Sequence, residues 1–149
     1  MRAFEIVHRE KPDAHLYLLG KYDARSPFFK SIKTFAEYHY IQEYVHFMGL
    51  HSNPYRWMKH ADCYVMPSRF EGLPNSLIDA MSVGMPVVAT RCIPVIDRMV
   101  KNGYNGIVVD SENVEALAEG MKKATLLKDF EMSYRPATSE DIMSLFKMT

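Results

Sequence analysis

Two carboxylates lie close to a Gly-Leu-Pro turn in the segment FEGLPNSLIDAMSVGMPVVAT, residues 70–90. Glu71 comes directly before the turn, and Asp79 follows eight positions later within an apolar stretch. An ionised carboxylate accepts hydrogen bonds and cannot itself bind a phosphate group. A pair placed on either side of a bound anion could instead hold hydroxyl groups of the same ligand. Acids in a first helical turn also complement the helix dipole, so a purely structural role stays open at this point.

Short apolar runs and longer amphipathic segments alternate along the chain. The apolar runs are rich in β-branched and aromatic side chains, which is typical of buried strands, and they cover residues 15–20, 45–49, 63–68, 86–90 and 106–110. The amphipathic segments predict helices over residues 2–10, 27–41, 52–61, 75–83, 94–101 and 114–127. Right-handed crossovers then give a parallel sheet covered on both faces. We therefore predict an α/β fold: a single Rossmann-like domain with a doubly wound parallel sheet.

Three of the predicted helices carry details that a structure can test. In the second helix, Phe28 would lie on the apolar face. In the third, Ser52 or Asn53 would cap the amino terminus, with Pro54 in the first helical position. In the last, Asn113 would be the capping residue.

The loop at residues 67–75, PSRFEGLPN, is the richest of those that follow the predicted strands. Ligands of an open parallel sheet bind beyond the carboxyl ends of its strands, so this loop is a candidate binding site. Gly72 and Pro74 fix a tight path, and the next helix begins near Asn75. Its first turn would offer free N–H groups and the positive end of the helix dipole to an anion. A sugar nucleotide has hydroxyls on both sides of its diphosphate, which would give the two acids one common ligand.

Composition argues against several other classes of function. The 149 residues include 18 basic and 18 acidic side chains, and this balance does not suit a nucleic-acid-binding surface. Cys63 and Cys92 form no CxxC pair, and Cys63 is expected to be a reduced core thiol. The six histidines lack metal-site spacing. With no secretory signal and no run of roughly 18 apolar residues, we expect a cytoplasmic protein; contact with the inner face of the membrane stays open.

The frame PSRFEGLPNSLIDAMSVGMPVVAT, followed by NGYNGIVV, resembles the C-terminal domain of retaining glycosyltransferases of family 4. These are the group 1 enzymes of the two-domain GT-B fold. Their signature is a Glu, seven residues and a second Glu, within P-S-x-x-E-G-x-x-x-x-x-x-E-A-M. The matching positions here hold Pro67, Ser68, Glu71, Gly72, Asp79, Ala80 and Met81. The segments PDAHLYLLG, VHFMG and HADCYVMPS agree upstream, so the resemblance covers roughly residues 5–127.

The resemblance implies a role for each matching position. Glu71, the catalytic residue in this assignment, would contact donor-sugar hydroxyls near the reacting carbon, and Asp79 would bind the ribose hydroxyls. The backbone around Asn75, Ser76 and Leu77 would hold the diphosphate, and Gly72, Leu73 and Pro74 would also belong to the donor-binding set. The implied reaction transfers a sugar from a UDP- or GDP-sugar, with retention at the anomeric carbon, in bacterial surface polysaccharide assembly. No cofactor is implied: the sequence has no DxD motif, and protein dipoles would replace a metal.

Three features depart from the family pattern. Asp79 stands where the family has Glu, which shortens the side chain by about 1.5 Å. We expect the first, central strand of the domain to be missing, together with the Arg and Lys that accompany it. We also expect the N-terminal domain, which binds a glycan or lipid-linked acceptor, to be missing. The chain would then be the donor-binding half of a glycosyltransferase. The alternative is a non-catalytic sugar-nucleotide-binding domain that needs a separate acceptor domain.

Several side chains outside the signature could also contact the donor. Arg69 and Lys21 are candidates for the phosphates, as is Arg25 near Lys21. Arg91 could replace a missing basic residue, and His51 lies in the loop expected near the nucleotide base.

The last part of the chain differs in pattern from the rest. We divide the sequence into a Rossmann-like domain, residues 1–130, and a tail, residues 131–149. Within the tail, SEDIMSLFKM predicts a short helix that packs back on the domain. Peripheral membrane association of the full enzyme is a further expectation, whereas nucleic acid is not an expected partner.

Overall fold

The computed structural model describes residues 1–127, so the predicted tail helix and the boundary at residue 130 lie outside the described residues. Helices and strands alternate along the described part of the chain in the order α1 (Arg2–Glu10), β1 (Leu16–Leu19), α2 (Pro27–Tyr38), β2 (Val45–Gly49), α3 (Tyr55–Met58), β3 (Tyr64–Met66), α4 (Asn75–Ser82), β4 (Val87–Thr90), α5 (Ile96–Met99), β5 (Gly106–Val109) and α6 (Val114–Ala124). The five predicted strands are confirmed, and a helix lies within each predicted helical segment. Within residues 1–127, no helix combines the length and the apolar character that a membrane span needs.

The helix α2 turns the predicted face to the core except at Phe28, because Ala36 is buried there and Phe35 packs against the same cluster. Ser26 caps it by accepting a hydrogen bond from the N–H of Phe29 at 3.1 Å. Phe28 is 75% exposed, so its predicted place on the apolar face is wrong. The ring of Phe29 takes that place instead, because it stacks on Tyr22 at 4.6 Å and packs on Phe47 at 4.8 Å between centroids.

The N-cap of α3 also differs from the prediction, whereas the N-cap of α6 agrees with it. Pro54 itself is the N-cap of α3, which is a single turn, and neither Ser52 nor Asn53 caps it. At α6 the prediction is confirmed, because Asn113 accepts a hydrogen bond from the N–H of Ala116 at 2.9 Å.

All strand pairs in the described part of the chain are parallel, but they form two ladders. One ladder joins β1 to β2, and the other has the order β3-β4-β5. A doubly wound sheet has the order 3-2-1-4-5-6. The observed order matches it if β1 and β2 take positions 2 and 3 and the other three strands take positions 4 to 6. The position between the two ladders is then the central one, and the expectation about its strand stays a prediction.

Strand β4 shows most clearly that helices cover both faces of the sheet. All four of its residues are buried, and neighbouring side chains belong to different core clusters. Val88 packs in a cluster with α1 and α6, whereas Val87 and Ala89 pack in a cluster with α4 and α5. This alternation is what a strand between two helical layers requires. The Rossmann-like α/β prediction is confirmed.

Cys63 precedes β3 and packs against the cluster formed by α1 and α6. It forms no disulfide, and burial raises the pKa of its thiol to about 12. The side chain therefore stays a neutral thiol at ordinary pH, as expected for a core cysteine.

Thr90 ties the end of β4 to the loop that leaves β3. The last ladder pair of these strands is Met66 with Ala89. The Thr90 hydroxyl continues the connection, since its Oγ1 lies 2.5 Å from the Ser68 carbonyl oxygen and 3.2 Å from that of Met66. The side chain is buried, so these hydrogen bonds have no competition from water.

We expect Thr90→Val to lower the free energy of unfolding by about 1–3 kcal/mol, because a buried carbonyl would lose its donor. Urea denaturation measures this loss. Thr90→Ser keeps the hydroxyl and serves as the matched control, with the smaller loss of the two. If the valine variant were more stable than the serine variant, the methyl group of Thr90 and not its hydroxyl would be the stabilising group.

Gly106 begins β5 opposite Val87, where a side chain has no room. A Cβ atom there would press on the carbonyl oxygen of Val87 and lie 2.6 Å from its Cγ2 and 2.8 Å from Val100 Cγ1.

We expect Gly106→Ala to lower the free energy of unfolding by about 1–3 kcal/mol through overpacking, again measured by urea denaturation. Gly72→Ala is the control, because nothing lies within 4 Å of its Cβ position. Equal losses at the two glycines would contradict the steric explanation.

Candidate functional site

The loop that connects β3 to α4, residues 67–74, lies at the carboxyl end of the three-stranded ladder. Its last residue, Pro74, is fully buried and is the N-cap of α4, which begins at Asn75 as predicted. Leu77 and Met81 are almost completely buried and hold α4 against the sheet. The helix start is therefore fixed by core packing, while the loop before it stays open to solvent.

Glu71 is half-buried and is held by a hydrogen bond from the preceding turn. The hydroxyl of Ser68 donates to Glu71 Oε1 at 2.6 Å. Because the carbonyl of Ser68 accepts from Thr90, the carboxylate is connected to the end of β4 through Ser68. One oxygen of Glu71 is thus occupied, and Oε2 remains available to accept a hydrogen bond from a ligand hydroxyl.

Asp79 is held by a side chain from another helix. The phenol of Tyr55, in α3, donates to Asp79 Oδ1 at 2.8 Å. This hydrogen bond, and then the negative charge of Asp79, raise the pKa of Tyr55, so the phenol stays protonated at neutral pH. Oδ2 of Asp79 has no hydrogen-bond donor among residues 1–127, so this carboxylate can still accept from a ligand.

A third hydrogen bond lies between the two acids. The phenol of Tyr64, on β3, donates to Ser76 Oγ at 2.7 Å. Burial raises the pKa of Tyr64, and the charges of Glu71 and Asp79 raise it further, against the opposing effect of Ser76. Tyr64 therefore remains a donor, and the Ser76 hydroxyl keeps its own hydrogen for an anionic ligand.

The first turn of α4 offers fewer free N–H groups than predicted. The N–H of Asn75 donates to the Leu73 carbonyl at 2.9 Å, and the N–H of Leu77 donates to the Pro74 carbonyl at 3.0 Å. The N–H of Ser76 has no acceptor within residues 1–127, nor do those of Gly72 and Leu73 in the loop before it. An anion would therefore meet the N–H and hydroxyl of Ser76 together with the loop backbone.

The predicted basic contacts are not equally available. Arg91 is bound by Asp97 at 2.9 Å and by Asp110 at 2.5 Å, and these carboxylates raise its pKa. Arg69 pairs with Glu112 at 3.1 Å, but both side chains are largely exposed. An exposed pair of this kind contributes only about 0–1 kcal/mol, so a diphosphate could displace Glu112. A phosphate contact by Arg69 stays a prediction.

The other three predicted contacts lie in the loops that follow the strands of the neighbouring ladder. A hydrogen bond from the N–H of Gly20 to the Gly49 carbonyl, 2.8 Å, joins the carboxyl ends of β1 and β2, where Lys21 and Arg25 follow. Arg25 lies 3.6 Å from Asp23, and Lys21 is exposed. His51 donates from Nε2 to the Met48 carbonyl at 3.0 Å and packs on Trp57. Their roles toward a ligand stay predictions.

Within residues 1–127, no three or more His, Cys, Asp or Glu side chains are grouped so that they could hold a metal ion. The expectation of a metal-independent reaction stays a prediction.

Sequence reasoning did not assign positioning roles to Tyr55, Tyr64, Ser68 and Thr90. Ser68 could have been found, because it precedes Glu71 by three residues and short polar side chains often bond locally in turns. Tyr55 and Thr90 each reach a partner 24 or 22 residues away in sequence. No local signal announces such contacts.

Comparison with known proteins identifies the family of the chain. A family model described as glycosyl transferases group 1 matches residues 1–128. An uncharacterised glycosyltransferase of Methanocaldococcus jannaschii is 34% identical over 92 residues, which make up 62% of this chain and 22% of that protein. A poly(glycerol-phosphate) alpha-glucosyltransferase of Bacillus subtilis is 31% identical over 129 residues, or 87% of this chain and 18% of that protein.

Solved structures show the same fold. Anabaena HepE in complex with UDP superposes with a TM-score of 0.71 at 19% identity, covering 84% of this chain and 37% of the HepE chain. The chain spans only about a fifth of the length of the two relatives above, so its place as the C-terminal domain of a larger protein stays a prediction. Because the family match covers all of the described residues and the fold accompanies it, the chain belongs to the group 1 glycosyltransferase family and has the Rossmann-like fold of a GT-B glycosyltransferase domain.

Proposed function

We propose that this chain forms the donor-binding part of a glycosyltransferase. The reaction moves a sugar from a UDP- or GDP-sugar to a glycan or lipid-linked acceptor, with retention at the anomeric carbon. One observation carries the proposal: two carboxylates stand on either side of the start of α4, each held by its own donor. Ser68 holds Glu71, and Tyr55 holds Asp79, while Ser76 between them keeps its hydroxyl hydrogen and its N–H for an anion.

The arrangement divides the donor into three parts. Glu71 accepts hydrogen bonds from the hydroxyls of the transferred sugar, and Asp79 accepts from those of the ribose. Ser76 and the positive end of the α4 dipole bind the diphosphate between them. As the glycosidic bond breaks, negative charge grows on the diphosphate, and these fixed dipoles stabilise it without reorganising. Lys21 and Arg69 would add positive charge from the neighbouring loops.

The relatives support the substrate class and the setting. HepE is a structural neighbour whose crystals contain UDP. The Bacillus relative is named for an alpha linkage to poly(glycerol phosphate). An alpha-linked product formed from an alpha-linked donor means that the anomeric configuration is retained. A polymeric acceptor fits a role in surface polysaccharide assembly at the cytoplasmic side of the membrane. The alternative is a non-catalytic domain that binds a sugar nucleotide and depends on a separate acceptor domain. An activity assay in the presence of an acceptor domain distinguishes this alternative from the proposed transferase.

We expect Asp79→Asn to weaken binding of UDP or GDP about 10- to 100-fold, because charge-assisted hydrogen bonds to the ribose are lost. Glu71→Gln should leave the nucleoside diphosphate unchanged and weaken only the intact sugar nucleotide by a similar factor. Isothermal titration calorimetry with both kinds of ligand measures the four affinities. Equal effects of the two substitutions on both ligands would contradict the division of roles. Absence of any binding at millimolar nucleotide would overturn the proposed function for this chain.

We also propose that the carboxyl end of the β1–β2 ladder contacts an anionic membrane surface. Phe28 and Leu50 are 75% and 79% exposed there, and Tyr22 is held beside them by its stack on Phe29. Lys30, two residues after Phe28 in α2, is exposed as well. Exposed apolar rings next to cations favour the interface of a bilayer that contains anionic lipid.

Phe28→Ser should reduce binding to vesicles that contain phosphatidylglycerol, because the protein would lose one aromatic ring that inserts into the bilayer interface. Co-sedimentation measures this binding. Tyr38→Ser is the matched control: it removes a ring that is 78% exposed at the other end of α2. We expect little binding to phosphatidylcholine vesicles. A Tyr38 variant as impaired as the Phe28 variant, or equal binding to both lipids, would count against this surface.

A further inference from the structure

We propose that Tyr55 is a specificity-determining residue that recognises, together with Asp79, the two hydroxyls of the donor's ribose. The inference rests on the proposed function and adds a residue that the family signature does not contain. Tyr55 lies in α3, before the signature segment that begins at Pro67, whereas Asp79 lies in α4 within that segment. The hydrogen bond from the phenol to Oδ1 holds the two oxygens 2.8 Å apart.

The position of Tyr55 is fixed by its surroundings. Pro54 begins the single turn of α3 and accepts hydrogen bonds from the N–H groups of Trp57 and Met58. The ring of Trp57 lies 5.8 Å from that of Tyr17 on β1, between centroids, which anchors the turn to the sheet. Tyr55 itself is 41% exposed, so its phenol oxygen can be reached by a ligand while it remains bonded to Asp79.

The hydrogen-bond donors and acceptors of Tyr55 and Asp79 determine which groups this pair can bind. The single hydrogen of the phenol is used on Asp79, which leaves the phenol oxygen with a lone pair to accept with. The carboxylate keeps Oδ2 and further lone pairs as acceptors. The pair therefore presents two neighbouring acceptor oxygens and no free donor. A phosphate, which has only acceptors at neutral pH, is repelled by such a pair, whereas a group with two donors is complementary.

A ribose presents two donors at this spacing. The oxygens of its cis vicinal hydroxyls lie roughly 3 Å apart by ordinary bond lengths, close to the 2.8 Å between the phenol oxygen and Oδ1. One hydroxyl can donate to the carboxylate and the other to the phenol. The side chain of Asp79 is one methylene shorter than the Glu of the family signature, and the phenol supplies the second acceptor beside it. A deoxyribose would leave one of these acceptors without a donor, which weakens binding.

The test uses the full 149-residue chain and compares UDP and GDP with their 2′-deoxy and 3′-deoxy forms by titration calorimetry. The unsubstituted chain should prefer the ribose form over each deoxy form by about tenfold or more. In Tyr55→Phe, the preference for one of the two hydroxyls should fall to about twofold or less, while the preference for the other persists. Tyr55 is partly exposed, so the variant should keep a Tm within a few degrees of the parent.

Tyr64→Phe is the matched control, because it removes a phenol that faces Ser76 and the diphosphate. It should weaken ribose and deoxyribose forms by the same factor and leave their ratio unchanged. If the parent binds nucleotides and Tyr55→Phe keeps both ratios, the role of Tyr55 is overturned and the proposed function stands. If the parent binds none of these nucleotides, the proposed function fails, and the role of Tyr55 fails with it.

Discussion

Burial of β4 on both faces is the constraint on which the rest of the fold depends. A strand of four buried residues, Val87–Thr90, needs a helical layer above and another below, and the chain supplies α1 and α6 on one side and α4 and α5 on the other. Parallel strands then end at a common edge, where their loops meet. At that edge the ladder ends with the pair Met66 and Ala89, and the Thr90 hydroxyl continues the connection to the Ser68 carbonyl. The loop with Glu71 is therefore attached to the most buried part of the molecule.

The site follows from how hydrogen-bond donors are shared among a few oxygens. Each acid is held by one hydroxyl donor and keeps acceptor capacity for a ligand. Between them, Ser76 receives a hydrogen bond from Tyr64 and keeps its donors. The order along the loop and helix is acceptor, donor, acceptor. A ligand with hydroxyls at two ends and an anion in the middle is complementary to this order, and a simple phosphate is not.

Local patterns in the sequence were enough for the strands and the start of α4, whereas the roles of the two acids stay predictions. Apolar runs and the Gly-Leu-Pro turn act over a few residues, and these are the features that were predicted correctly. Phe28 was placed wrongly because helical periodicity fits it as well as Phe29, and only Tyr22 and Phe47 decide between them. The partner of Asp79 could not be predicted, because it depends on how α3 packs against α4.

The break between the two ladders gives the contact of Tyr55 with Asp79 a mechanical meaning. Tyr55 follows the β1–β2 ladder, and Asp79 lies in the helix packed on the β3–β5 ladder, so this one hydrogen bond spans two units that share no strand pairing in the described chain. A ligand that engages both residues would act as a clamp across the break. Val45 of β2 and Val88 of β4 already share one core cluster, and the binding energy of the ligand would add to this connection between the two ladders.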